Sequence, residues 1–325
     1  MKLFVLEEWI QKHCPKDVDF TAQKTENTDA FSWDNIMLNE LSKIVGLVTT
    51  AYDEMKMKIV VKHAYSEMLT LKENYMIGVG HKGNPAIVFK FIESLLVMLN
   101  PIIPHFCQYQ WQHVVLPRMK SCTGFDHPMP ENVIDVRWST LGNGQSDHKL
   151  SHFVKYLSDV KSDIRVKHIA AQKGGNKKGK GKQPAEKVNI ENCTIFVSDA
   201  YPEYKMKVLS ILNQMTFVDD EIQGDYIKAI GAEIKGKENG LAMKFCAHVL
   251  KQAKEHGRDS ALAMSIPFDE AACLQGNQTF LFENMPTIKN VEVVNAQAEG
   301  VAEKYPGSDA VRSNAIRGEP AIHYW

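Results

Sequence analysis

Asn100-Pro101-Ile102-Ile103-Pro104-His105-Phe106 is the stretch whose reading decides how the first half of this chain folds. Before it, Ala86 to Leu99 is apolar enough for a buried helix and is broken only by Lys90, Glu93 and Ser94. Pro101 ends that helix, because proline lacks the N–H that the preceding turn would use. Pro104 suits the first turn of a new helix, where no such donor is needed, and the spacing predicts that helix through Trp111 to Leu116. Working upstream, Asp34 is a plausible N-cap for a stripe of Ile36, Met37, Leu41, Ile44, Val45, Val48 and Met55 at helical spacing. A second stripe runs through Met57, Val60, Val61, Ala64, Tyr65, Met68, Leu71 and Tyr75 until Gly78, Gly80, Gly83 and Pro85 interrupt it. Helices of this length with short connections pack as an antiparallel bundle.

Downstream, Asn132-Val133-Ile134-Asp135-Val136-Arg137-Trp138 leads to a Gly142-Asn143-Gly144 linker and a further helix through Phe153, Val154, Leu157, Val160 and Ile164. That helix runs into Lys173-Gly174-Gly175-Asn176-Lys177-Lys178-Gly179-Lys180-Gly181-Lys182, whose glycines deny it a packed structure and make it a flexible basic tether. From there the period changes. Cys193, Ile195 and Val197 alternate with Thr194, Phe196 and Ser198, as in a half-buried strand. Helical stripes follow at Tyr204 to Leu212 and through Leu241, Phe245, Val249 and Ala253; Phe268 to Phe282 then leads to a second strand at Ile288 to Val294 and a last one at Ala321 to Trp325. The reading is a mainly α protein: a helical domain over 1–140, a helix and basic linker over 141–190, and a small α/β domain over 191–325.

With 325 residues, 44% of them hydrophobic, the chain can bury a substantial core. Its net charge of -1 supplies no global attraction for nucleic acid, so any such binding must come from local clustering. That clustering is present, because residues 161–187 hold nine Lys/Arg against two Asp/Glu. The six cysteines are scattered with no close pair, which points to reduced thiols in the cytoplasm. Glu7 and Glu8 follow Met1 to Leu6 too closely for a secretory or transit signal, and no apolar run reaches membrane-spanning length, so no membrane is expected as a partner.

Several familiar chemistries are disfavoured. Gly78-Val79-Gly80, with Gly83 three residues on, spells a dinucleotide fingerprint, but it follows a helix rather than a strand and reads as a loop. His105, Cys107, His113, Cys122 and His127 match no zinc spacing, and helical residues two apart face different ways. Asp53-Glu54, Asp219-Asp220-Glu221 and Asp269-Glu270 are read as solvated carboxylates at helix surfaces or starts, not an acid/base pair. Trp111, Trp138 and Tyr109 have the chemistry to stack on bases, although aromatics at such positions more often belong to cores. No catalytic residue, metal site or cofactor site is assigned.

Taken in order, Phe89-Lys90-Phe91-Ile92-Glu93, Pro101-Ile102-Ile103-Pro104-His105, Trp111 and Val133-Ile134-Asp135-Val136-Arg137-Trp138 resemble the helical anticodon-binding domain of class I aminoacyl-tRNA synthetases, most closely cytosolic leucyl-tRNA synthetases. Phe4 to Trp9 resembles the helix entering that domain, and Cys193 to Val197, Phe268-Asp269-Glu270-Ala271 and Ile288 to Val294 resemble the family's C-terminal domain. Two departures stand out: Asn100 replaces the usual alanine before the first proline, and Ser139 the proline common after Trp138. The family's His-Ile-Gly-His and Lys-Met-Ser-Lys-Ser type signatures occur nowhere in the sequence.

The resemblance implies the tRNA-binding C-terminal part of a leucine–tRNA ligase, inactive by itself, with ATP and Mg serving only the full-length enzyme. The implied partners are tRNA, tRNA(Leu) above all, and the catalytic portion of the same synthetase or other synthetases. Candidate RNA contacts are Arg137, Arg165, Lys167 and the tether lysines Lys173, Lys177, Lys178, Lys180 and Lys182, which suit phosphates rather than base identity. Two alternatives stay open: a free-standing tRNA-binding or complex-assembly protein without ligase activity, and a protein–protein scaffold.

Overall fold

The computed structural model describes residues 2–21, 30–124, 129–138, 141–142, 146–172, 190–198, 201–218, 221–256, 258–262 and 266–325. The chain divides into two compact units, Met1–Ser151 and His152–Trp325.

The first unit is all helical. It comprises α1 (Lys2–His13), α2 (Trp33–Asp53), α3 (Met57–Val61), α4 (Met68–Gly78), α5 (Pro85–Leu99), α6 (Pro104–Gln110) and α7 (Leu116–Met119). The expected N-cap lies two residues upstream of Asp34, at Ser32, whose hydroxyl accepts from Asn35 N–H at 3.3 Å. Asp34 instead takes the Tyr75 hydroxyl at 2.7 Å and the Asn84 side-chain amide at 3.1 Å, while Asn84 Oδ1 caps Ala86 N–H at 3.0 Å. One carboxylate thereby ties the start of α2 to the end of α4 and the cap of α5. α5 forms the centre of the bundle, with Phe91, Ile92, Leu95, Leu96 and Met98 fully buried. The two prolines act as read: the chain turns after Leu99, and Pro104 opens a helical run to Met119. Periodicity gave no sign of the π-helical turns at Lys62–Glu67 and Trp111–Val115. The glycine string begins on the last residue of α4, Gly78, and continues as the expected loop. Gly80 adopts φ +63°, and a Cβ on Gly78 would lie 2.1 Å from the Trp33 ring, so close helix packing rather than phosphate approach explains that glycine.

The second unit contains most of α8 (His148–Gln172), then β1 (Asn192–Val197), α9 (Glu203–Gln214), β2 (Thr216–Val218), β3 (Glu221–Gln223), α10 (Tyr226–Glu233), α11 (Lys237–His256), α12 (Arg258–Ala261), α13 (Glu270–Gly276), α14 (Gln278–Phe282), β4 (Asn290–Asn295), α15 (Val301–Lys304), α16 (Asp309–Arg312) and β5 (Ala321–Tyr324). β1 is central, parallel to β4 and antiparallel to β5. That placement corrects the half-buried reading: Cys193 to Val197 are all buried, because a central strand covered on both faces needs no polar side.

Two carboxylate assignments also change. Glu221 opens β3 of a small hairpin rather than a helix. Glu270 is 9% exposed and accepts from the Tyr156 hydroxyl at 2.6 Å and Gly318 N–H at 3.2 Å, so it is a buried tie between α8, α13 and the C-terminal segment. The buried stripe of α11 is Ala242, Cys246, Val249 and Ala253, whereas Leu241 is 51% exposed. The smaller residues face inward because α9 packs closely there.

Candidate nucleic-acid interface

In the first unit the candidate surface is built on residues 129–138, a segment with little regular structure that the bundle pins through side chains. Trp111, fully buried, donates its indole N–H to Pro130 O at 3.0 Å. Gln108 accepts from Val133 N–H at 3.0 Å and donates to Asn132 Oδ1 at 2.9 Å; Val133 is buried at the start of a 3₁₀ turn, Val133–Asp135. Trp138 donates to Thr49 Oγ1 at 2.8 Å and packs edge-on against Tyr52. Both tryptophans are therefore anchors of the segment rather than platforms for bases. What the anchors leave outward is Ile134, 74% exposed, and Arg137, also exposed. Tyr109 is 52% exposed and its ring lies tilted against that of His113, 4.5 Å between centres.

In the second unit the candidate residues lie on the last turns of α8. Ile164 and His168 face inward: Ile164 O accepts from the Tyr324 hydroxyl at 2.8 Å, and the His168 ring packs 5.4 Å from that of Tyr324. Burial lowers the pKa of His168, keeping the imidazole neutral where a charge would lack solvent. Arg165, Val166 and Lys167 are exposed, Val166 at 62%. At about 100° per residue Arg165 and Lys167 diverge by about 200°, so they do not share one helix face. The structure thus places Arg137 in one unit and Arg165 and Lys167 in the other, each exposed on an anchored element. Lys173, Lys177, Lys178, Lys180 and Lys182 lie outside the described residues.

Sequence reasoning passed over further exposed basic side chains of the same unit, Lys155 on α8 and Lys244, His248 and Lys251 on α11. The signal was available as the complement of the apolar stripe on α11. Among the described residues no three His, Cys, Asp or Glu side chains gather as metal ligands, and no helix is long and apolar enough to cross a membrane. Burial pushes the thiols of Cys14, Cys107 and Cys193 up to about 12, which leaves them protonated and poor as nucleophiles or ligands near neutral pH.

Residues 34–175 match the anticodon-binding domain of tRNA ligase. The chain is 23% identical to the cytoplasmic leucine–tRNA ligase of Pongo abelii over 98% of its own length and 25% of that protein. With the corresponding protein of Dictyostelium discoideum it shares 22% identity over 100% of this chain and 28% of the relative, and with a probable cytoplasmic leucine–tRNA ligase of Encephalitozoon cuniculi 27% over 69% and 21%. The chain spans about a quarter of the length of the curated relatives it matches. It is a homologue of the C-terminal part of cytoplasmic leucine–tRNA ligases and carries their anticodon-binding domain.

Proposed function

We propose that this chain holds tRNA, and tRNA(Leu) in particular, for a cytoplasmic leucine–tRNA ligase whose catalytic portion lies outside this sequence. The observation that carries the reading is the conjunction of the anticodon-binding domain with similarity to leucine–tRNA ligases along almost the whole chain. The exposed cations on anchored elements support it. Arg137, Arg165 and Lys167, with Lys173, Lys177, Lys178, Lys180 and Lys182 after them in sequence, neutralise phosphates, and release of the RNA's counterions supplies affinity without base recognition. Holding the body of the tRNA contributes to rate by positioning the acceptor end, an entropic contribution to chemistry performed elsewhere with ATP and Mg.

The test is fluorescence anisotropy of a labelled tRNA(Leu) transcript with the full 325-residue chain across a salt series. The expected result is a linear fall of log K with log salt, tighter binding of tRNA(Leu) than of a transcript for another amino acid, and a slope shallower by about 1 for Arg137→Gln. Absence of salt-dependent binding would overturn the reading and favour a protein–protein scaffold.

A further inference from the structure

In the second unit β4 is an edge strand: β1 lies on one side of it and, among the described residues, no strand on the other. Its parallel register with β1 is unbroken from Asn192 opposite Asn290 to Val197 opposite Asn295. Asn290 N–H donates to Glu191 O at 3.2 Å and Ala296 N–H to Val197 O at 2.7 Å. Residues that bond a given neighbour alternate along a strand, so Asn290, Glu292, Val294 and Ala296 turn their N–H and C=O toward β1, while Val291 and Val293 turn theirs away. Among the described residues no hydrogen bond reaches the main chain of Val291 or Val293. Such an edge is a template for another strand, and proteins ordinarily blunt it with a proline, a bulge, an unpaired charge or a covering segment. β4 has neither proline nor bulge, and Glu292, its one charged residue, is neutralised by Lys304 at 2.8 Å.

The strand is also complementary to itself. We propose that β4 pairs antiparallel with β4 of a second copy of this chain across a two-fold axis at Val293, joining two three-stranded sheets into one of six strands. In that register the N–H and C=O of Val293 exchange two hydrogen bonds with those of Val293 of the partner subunit. Glu292 then faces Val294 of the partner subunit and meets no like charge. An axis at Glu292 would set two carboxylates opposite each other. An axis at Val294 would carry the pairing past Asn295, where the chain turns and Ala298 N–H bonds back to Asn295 O at 3.1 Å. Val291 and Val293 are half-buried on the sheet face they share with Cys193 and Ile195, and pairing at Val293 extends that apolar face across the axis. The strand pair by itself, about 20 Å long, is small beside the roughly 1,200–2,000 Å² of a stable interface, so the association is reversible and grows with concentration. It is independent of the tRNA-binding reading, and no RNA enters its test.

The experiment is sedimentation of the full chain from micromolar to several hundred micromolar, beside Val293→Pro. Proline removes the outward N–H of residue 293 and none of the bonds to β1, which is the setting in which an edge strand tolerates it. The expected result is a mass-average mass that climbs from 36.7 kDa toward twice that value for the unmodified chain and stays at 36.7 kDa for Val293→Pro, with the same circular dichroism. A second arm oxidises Val293→Cys and Val291→Cys, each with Cys122→Ser because Cys122 is the one cysteine not buried. At the axis the two introduced thiols sit on Cα atoms about 5.5 Å apart, within disulfide reach, whereas at 291 the copies are offset by four residues, about 13 Å along the strands. Val293→Cys should therefore give roughly tenfold more covalent dimer than Val291→Cys. A mass fixed at that of the single chain over the whole range would overturn the proposal. So would a dimer that Val293→Pro leaves intact, or equal cross-linking from the two positions; if Val293→Pro loses its native spectrum, the cross-linking comparison decides alone.

Discussion

Trp111→Phe isolates the device that gives residues 130–138 their place. The indole is fully buried, and its N–H to Pro130 O is one of the bonds by which the bundle holds the segment carrying Arg137. Phenylalanine keeps an aromatic body at the site but loses the donor, worth about 1 kcal/mol net. It also loses on the order of 50 Å² of buried apolar surface, given that aromatic side chains bury about 150–250 Å² each, and at about 25 cal/mol per Å² this adds roughly 1.2 kcal/mol. A loss of about 2–3 kcal/mol follows. For a unit of this size each kcal/mol is worth about 2–4 °C, so the thermal midpoint of the first unit should fall by about 4–12 °C. Circular dichroism reads the midpoint, and hydrogen–deuterium exchange reads the peptide over 129–138, where protection should drop more than in α5. A midpoint shift below about 1 °C would refute the packing argument. A normal shift with unchanged exchange at 129–138 would refute the pinning.

In the second unit Tyr156→Phe removes the hydroxyl that donates to the buried Glu270 carboxylate and should cost about 1–3 kcal/mol, seen as a lower midpoint for unfolding of that unit. Alkaline pH should weaken the first unit. Burial raises Cys14 and Cys107 from 9.0 to about 12, so between those values the unfolded chain has lost protons that the folded one keeps. Stability is therefore unaffected by these thiols below pH 9 and falls as pH rises from 9 toward 12, by up to about 1.4 kcal/mol per pH unit for each thiol. Cys107→Ala should flatten the decline in urea unfolding midpoints across that range; an unchanged decline would mean the thiol does not carry it.

Local chemistry made most of the first unit legible from sequence. Pro101 and Pro104 dictate a break and a restart whatever surrounds them, and the apolar length of 86–99 requires a buried helix. The strands at Asn192–Val197, Asn290–Asn295 and Ala321–Tyr324 were legible for the same reason, since β-branched and aromatic residues cluster there between turns. The amount of burial was not. Alternation in β1 suggested one wet face, but strand order put it at the centre of the sheet, and strand order depends on partners distant in sequence. Glu270 read as a solvated helix-start residue because nothing near it in sequence signals that Tyr156, more than a hundred residues away, brings it a donor.

The candidate interface divides in the same way. Charge clustering over 161–187 and the exposed side of α8 are one-dimensional properties, so the sequence by itself determined that a basic element of unspecific, phosphate-seeking chemistry is present. Only the tertiary structure decided that Trp111 and Trp138 hold Arg137 outward instead of facing bases themselves, because an indole's role depends on whether its N–H finds a carbonyl or hydroxyl inside the bundle.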